Sequence, residues 1–228
     1  FGPLGNIDQI DYAQAAVDWS SAIGAVASKD GSAVVFGWLQ QQDELLDEEV
    51  PLPRIIWLSP TLAAITTGLQ GDCRFVQRCM VEDVAEVSSI FGMDPDADYV
   101  ANSLARRLQD RTMASQRPLA AHILVGSVHS GQPAQLFSVT LAGQVTQVKG
   151  YCAGQGQEHG LKTLQQAFQV RPSEGTSSNS ISRGDEEVSA ETVLQDAMEA
   201  MSRNASTTEV AYGMQRFILK AETRQSLQ

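Results

Sequence analysis

Residues 1–17 read FGPLGNIDQIDYAQAAV. The first segment of a chain frays unless something holds it. Here Pro3 stands between Gly2 and Gly5, so a tight turn comes first. An amphipathic stretch follows from about Gln9 to Val17, with Tyr12 and Ala13 within it, and is expected to be a short helix. A turn set locally by Pro and Gly, followed at once by a helix, predicts a segment that must occupy one defined place.

The next residues repeat a simple pattern. SAIGAVAS (21–28) and SAVVFGWL (32–39) are apolar runs joined at Lys29-Asp30-Gly31. Asp-Gly between such runs predicts a hairpin. RIIWL (54–58) and LAAITT (62–67) do the same around Ser59-Pro60. Helical spacing then takes over. Val76, Met80, Val84, Val87 and Phe91 recur every three or four residues, and Gly92 ends the pattern. Asp94 followed by Pro95 predicts the N-cap and first turn of the next helix, with Ala97, Val100, Leu104 and Leu108 as its apolar stripe.

Strands return in LAAHILVGSV (119–128), AQLFSV (134–139) and QVTQVK (144–149). Leu161, Leu164 and Phe168 mark a further helix. The stretch from Arg171 to Glu187 has almost no large apolar side chain, so a flexible loop is expected there. Ser189 caps a last helix through Leu194, Met198 and Met201, and EVAYGMQRFIL (209–219) closes as strand. Strands and helices come in blocks. That predicts an α+β fold with antiparallel sheets and segregated helical layers. The expectation is one domain over residues 1–228, with its opening turn and helix at 1–19 and a flexible loop at 171–187.

Composition narrows the function. The chain has 228 residues with 16 Lys plus Arg against 27 Asp plus Glu, a net charge of -11. Such acidity argues against nucleic acid or an anionic membrane as the main partner. No apolar run approaches the ~18 residues of a membrane span, and no signal peptide is visible. Phe1 is not an initiator, so further residues are expected ahead of it. Three cysteines, Cys73, Cys79 and Cys152, form no even framework and predict a reducing compartment.

Candidate chemistry is sparse. GQGQEHG (154–160) lacks both a phosphate-loop fingerprint and a Lys-Ser/Thr ending, so it reads as a helix entry turn. His122, His129 and His159 have no ligand spacing, and His122 within an apolar strand reads as a core histidine. Cys73 and Cys79 are six apart in a helix, which predicts different faces. No metal site and no cofactor are expected. DELLDEE (43–49) reads as a solvated acidic face. No nucleophile elbow exists.

The opening stretch closely resembles the signature of proteasome α-type subunits, F-S-P-x-G-x-L/I-x-Q-V/I-E-Y-A-x-x-A-V. Phe1, Pro3, Gly5, Ile7, Gln9, Ile10, Tyr12, Ala13, Ala16 and Val17 match it, while Gly2 replaces Ser and Asp11 replaces Glu. GLQGDCR (68–74) resembles the family's G-x-x-x-D-x-R through Gly68, Asp72 and Arg74. QRPLA (116–120) is similar to R-P-[FYL]-G before a strand, with Ala120 in place of Gly. TLAG (140–143) stands where D-P-S-G is usual.

The resemblance implies the four-layer αββα sandwich of N-terminal-nucleophile hydrolases. It implies a non-catalytic, eukaryotic-like structural and gating subunit of the core-particle α ring, in ATP- and ubiquitin-dependent protein degradation. Partners would be neighbouring α subunits, β-ring subunits and regulatory-particle ATPases or other activators, in cytoplasm and nucleus. Pro3 and Tyr12 match the gate's reverse turn and its clustered Tyr. The family's Tyr-Asp pair would lie before Phe1.

Arg54 matches a family Lys that receives the C-terminal carboxylate of a regulator. Its other reading is a surface Arg balancing residues 43–49. The alternative function is an active threonine-type hydrolase. Its nucleophile would fall near Ser20-Ser21, its Asp near Gly37 or Trp38, and its Lys ahead of Arg54. Between Lys29 and Lys149 there is no lysine. Ser20 is internal, so no free α-amine is expected to act as base there. The catalytic set is expected to be empty.

Overall fold

Every second residue of the central strands faces a different layer, and both faces are buried. The computed structural model describes residues 7–41, 54–114, 116–169, 189–205 and 212–220. Helix α1 is Asp8–Asp18. Strands β1 (Ile23–Ala27) and β2 (Ala33–Gln41) follow, then β3 (Ile55–Ser59) and β4 (Leu62–Gly68). Helices α2 (Gln70–Phe91) and α3 (Ala97–Met113) come next. Strands β5 (Ala121–Ser127), β6 (Gln135–Val139), β7 (Val145–Gln147) and β8 (Gly150–Ala153) precede helices α4 (Gln157–Gln169) and α5 (Ala190–Ala205), and β9 (Tyr212–Lys220) is last.

The strands make two sheets, β8-β1-β2-β9 and β3-β4-β5-β6-β7. All their pairings are antiparallel. Ile23, Ala25, Val34, Phe36 and Trp38 of the first sheet meet Ala63, Ile65, Leu124 and Leu136 of the second. Their sequence neighbours Val26, Val35 and Leu39 turn instead to Leu164 of α4 and to Leu194, Met198 and Met201 of α5. On the far side, Leu62, Ala64, Ile123 and Val125 pack on α2 and α3 through Val76, Met80, Val100 and Leu104. The period of two in each strand therefore builds three apolar interfaces from two sheets. This is the αββα sandwich of the N-terminal-nucleophile type.

The hairpin at Lys29–Gly31 forms as Asp-Gly predicts. Gly31 has φ 70°, and Asp30 accepts from Ser32 N at 3.1 Å and from Ser32 Oγ at 2.7 Å. Side-chain hydrogen bonds from Ser28 and Ser32 hold its carboxyl down at about 2. Gly92 ends α2 in the left-handed region, and Ser189 Oγ accepts from Thr192 N at the head of α5.

Two expectations need correction, and one strand was not expected. The N-cap of α3 is Asp96, not Asp94. Asp94 is occupied by Ser88 Oγ, which donates to it at 2.9 Å and closes the α2–α3 turn. The strand β8 has no sequence signal of its own. Its four residues GYCA do not alternate, and only pairing with β1 makes them a strand. Cys73 and Cys79 are both buried in one cluster with Val76 and Met80. The buried face of α2, covered by both the sheet and α3, is wide enough to take both. All three described cysteines are free thiols.

Candidate functional site

Helix α1 lies across one end of the second sheet. Ala13 and Val17 pack on Ala120 and Leu141, with Ile10 and Ala16 at the margin. The helix ends at Trp19, whose N–H donates to Ala15 O. The chain then turns through Ser20 and Ser21 into β1. Gln155 N donates to Ser20 O at 2.9 Å, which ties this turn to the entry of α4.

Four side chains meet at the turn. Ser20 Oγ donates to Val17 O at 2.6 Å and lies 2.7 Å from Thr67 Oγ1. Thr67, at the end of β4, donates to Ser21 O at 2.5 Å. Arg54 Nη2 donates to Ser21 Oγ at 2.9 Å. Two hydroxyl protons serve the three contacts of Ser20 and Thr67, because each hydroxyl donates once. Ser20 N is an ordinary peptide nitrogen and donates to Val17 O at 3.0 Å. Nothing in this arrangement activates a nucleophile. The Ser20 hydroxyl is held by a carbonyl and a second hydroxyl, and among the described residues no base is placed on it.

The sequence reading puts the lysine of an active site ahead of Arg54. In the structure the cation that reaches the Ser20–Ser21 turn is Arg54 itself. Arg54 is half-buried, and burial pulls its pKa below the ordinary guanidinium value. A guanidinium still does not act as a base. Among the described residues no carboxylate makes an ion pair with it. Cys73 lies near it, and burial pushes that thiol up, away from thiolate character.

Pro3 and the acidic run 43–49 lie outside the described residues, as does the expected loop at 171–187. Tyr12 is described and projects from α1, 68 % exposed. Gly37 and Trp38 lie in β2, and neither position carries a carboxylate. His122 is buried, as expected of a core histidine. It bonds Ser138 Oγ at 3.0 Å and stacks on Tyr151 across the two sheets. Burial holds it neutral, at about 4. Among the described residues no group of His, Cys, Asp and Glu could hold a metal ion, and no helix is long and apolar enough to cross a membrane.

The two eroded motifs meet in space. Arg117 grips Asp72 with two parallel bonds of 2.7 and 2.8 Å, and Ala120 N donates to the same carboxylate at 2.8 Å. Burial raises the Asp72 carboxyl, but the bonds from Arg117 and Ala120 and the charges of Arg117 and Arg111 outweigh it, so Asp72 sits below its ordinary value. Gly68 has φ 131°, and a Cβ there would lie 2.0 Å from Ala120 O. The spacing in GLQGDCR and QRPLA thus encodes one joint between β4, the head of α2 and the entry to β5. Arg74, the last residue of the first motif, is exposed and outside that joint.

The sequence reading missed Thr67 altogether. The only available signal was its pairing with Thr66 at the end of an apolar strand. That pair divides its work, with Thr66 accepting from Gln77 Nε2 at 2.9 Å while Thr67 holds the Ser20–Ser21 turn.

A family model described as proteasome subunit matches residues 18–213. The proteasome subunit alpha of Methanoculleus marisnigri is 24% identical over 172 residues, 74% of this chain and 70% of that protein. That of Picrophilus torridus is 26% identical over 176 residues, covering 76% and 74%. The proteasome subunit alpha type-4-like protein of Drosophila melanogaster is 25% identical over 166 residues, covering 72% and 65%. By its family model, its α-type relatives and its two-sheet sandwich, the chain belongs to the proteasome subunit family, among the α-type subunits.

Proposed function

We propose that this chain is a non-catalytic structural and gating subunit of the α ring of the proteasome core particle. It supports ring assembly, substrate entry and regulator docking in ATP- and ubiquitin-dependent protein degradation, in cytoplasm and nucleus. The observation that carries this reading is the state of Ser20. The residue is internal, its nitrogen is a hydrogen-bonded amide, and its hydroxyl is bound to Val17 O and Thr67. A covering helix stands where an active subunit needs a free terminus.

Two exposed apolar surfaces support the assembly part. Tyr12 and Trp19 project from α1, and Ile90, Phe91 and Met93 form a knuckle between α2 and α3. Large exposed apolar side chains that stand close in the chain suit protein contacts. Neighbouring α subunits and β-ring subunits are the partners that the reading assigns to them. Regulatory ATPases or other activators would dock at a pocket lined by Arg54. The support there is a half-buried guanidinium with a neutral hydroxyl as its acceptor, able to take a carboxylate through two parallel bonds.

The native mass of the full chain with its co-purifying partners tests the reading. A multi-subunit ring particle is expected. A threonine-directed covalent inhibitor added to that particle should label partner subunits only. A monomeric native mass, or label on this chain, would overturn it. Within the particle, Arg54→Ala should weaken docking of regulator tails at this pocket while the ring still assembles.

A further inference from the structure

We propose that Arg111, laid on the ring of Phe75 across the seam of α2 and α3, receives a side-chain carboxylate from an acidic, apolar-flanked segment of a partner protein. The surface is separate from the pocket assigned to Arg54. It is also separate from the knuckle at Ile90, which lies about 22 Å further along α2.

The seam pairs most of its charges. Arg117 holds Asp72, Arg107 holds Asp83 and Arg78 holds Glu82. Arg111 stands among them in the last turn of α3. Among the described residues no carboxylate makes an ion pair with it. The Asp72 carboxyl feels its charge, but the oxygens of Asp72 already accept from Arg117 and Ala120. Arg74, exposed beside Phe75, has no ion pair among the described residues either. Two guanidinium groups are therefore left over on a chain whose net charge is -11. That local surplus is complementary to an acidic partner.

The position of Arg111 is fixed without a carboxylate. Its guanidinium carbon lies 5.1 Å from the centre of the Phe75 ring. Its Nε is buried and has no acceptor. A cation at a helix C-terminus is favoured by the dipole alone, and a solvated one would serve for that. It would not need to bury a donor without a partner, which is unfavourable. Stacking on Phe75 sets the plane of the group instead. With Nε turned into the seam, the two Nη groups are the edge left for a ligand. A fork held in plane loses little freedom when a carboxylate takes it through two parallel bonds.

The rim is apolar. Phe75 is 43 % exposed, and Met113, two residues beyond Arg111, is 77 % exposed. Arginine and an aromatic ring, with an adaptable methionine beside them, are the make-up of a contact centre. A small anion would leave the ring and the methionine uncovered. A carboxylate flanked by apolar side chains covers both.

The probe is acetyl-Leu-Asp-Leu-amide. Its control is acetyl-Leu-Asn-Leu-amide, which keeps the shape and lacks the charge. Each is titrated into the full chain at low salt, and the NMR signals of the Arg111 guanidinium and the Phe75 ring are followed. The acid should bind about tenfold more tightly than the control, the change that one charge-assisted hydrogen bond carries, and should move both signals. Arg111→Gln should abolish the preference. Arg111→Lys keeps the charge at the helix end but not the planar fork, and should lose most of it. Phe75→Leu should reduce it, and Arg78→Gln should leave it unchanged.

Equal binding of acid and control, or no binding of either, would overturn the proposal. So would a preference that survives Arg111→Gln, or one lost equally in Arg78→Gln. If Arg111→Gln does not fold, the full preference retained in both Arg111→Lys and Phe75→Leu would overturn it. Ring membership is tested separately, by the native mass.

Discussion

The two helical layers hold their sheets in different ways. Among the described residues, α4 and α5 pack on the first sheet through apolar side chains. Leu194, Met198 and Met201 come so close that Gly24 and Gly160 have no room for a Cβ. On the second sheet, α2 and α3 add buried polar ties. Arg117 and Ala120, at the entry to β5, hold the buried Asp72 of α2, and Gln77 of α2 donates to the buried Thr66 of β4. The first interface is fitted by side chains, which can move. The second is fitted partly by backbone and by directional bonds, which cannot move without losing partners. Close packing alone therefore does not say how an interface responds to change.

The largest effect is expected where backbone meets backbone. Gly68→Ala forces an unfavourable φ and drives a Cβ onto Ala120 O, with Ala120 C and Ala121 Cα also within 3.0 Å. Roughly 3–5 kcal/mol of stability should be lost, measured by denaturant unfolding of the purified subunit. A loss below ~1 kcal/mol would show that the joint yields and would remove half of the contrast.

Asp72→Asn comes next. It keeps the shape and discards the charge that Arg117 holds, and about 2 kcal/mol should be lost at neutral pH. The pH dependence carries the sign. The Asp72 carboxyl is held below its ordinary value in the folded state. Its stabilisation is therefore complete above the ordinary carboxylate pKa and is lost as pH falls through the depressed one. The gap between the two proteins should narrow on acidification. A gap independent of pH would mean that the loss is one of packing.

The smallest change is expected from Gly24→Ala. Its added Cβ would lie 2.9 Å from Leu194 Cδ1 and 3.1 Å from Met198 Sδ. Both are ends of flexible side chains, and Met is the most adaptable of core residues. A loss of about 1 kcal/mol is expected, with α5 shifted slightly from β1. A loss equal to that of Gly68→Ala would erase the distinction between the layers.

Local rules sufficed for much of this fold. The Asp30-Gly31 hairpin, the apolar stripes of α2 and α3, and the Ser189 cap are decided within a few residues, by turn chemistry and by a period of 3.6. They were legible for that reason. The opening motif pointed to the family because its residues stand at fixed spacing over 1–17, and the absence of a suitable lysine argued against catalysis without any coordinates. What remained hidden depends on partners far away in the chain. The strand β8 exists because β1 offers it an edge. The N-cap position of α3 falls at Asp96, whose side chain makes no cap bond, while Asp94 accepts from Ser88, six residues before it. Arg54 meets Ser21 across 33 residues, and Thr67 meets Ser20 across 47. A hydroxyl or a guanidinium looks the same in sequence whether solvent or another side chain receives its proton. Only the packing of two sheets, which brings the ends of β4 and α1 together, decides which one it is.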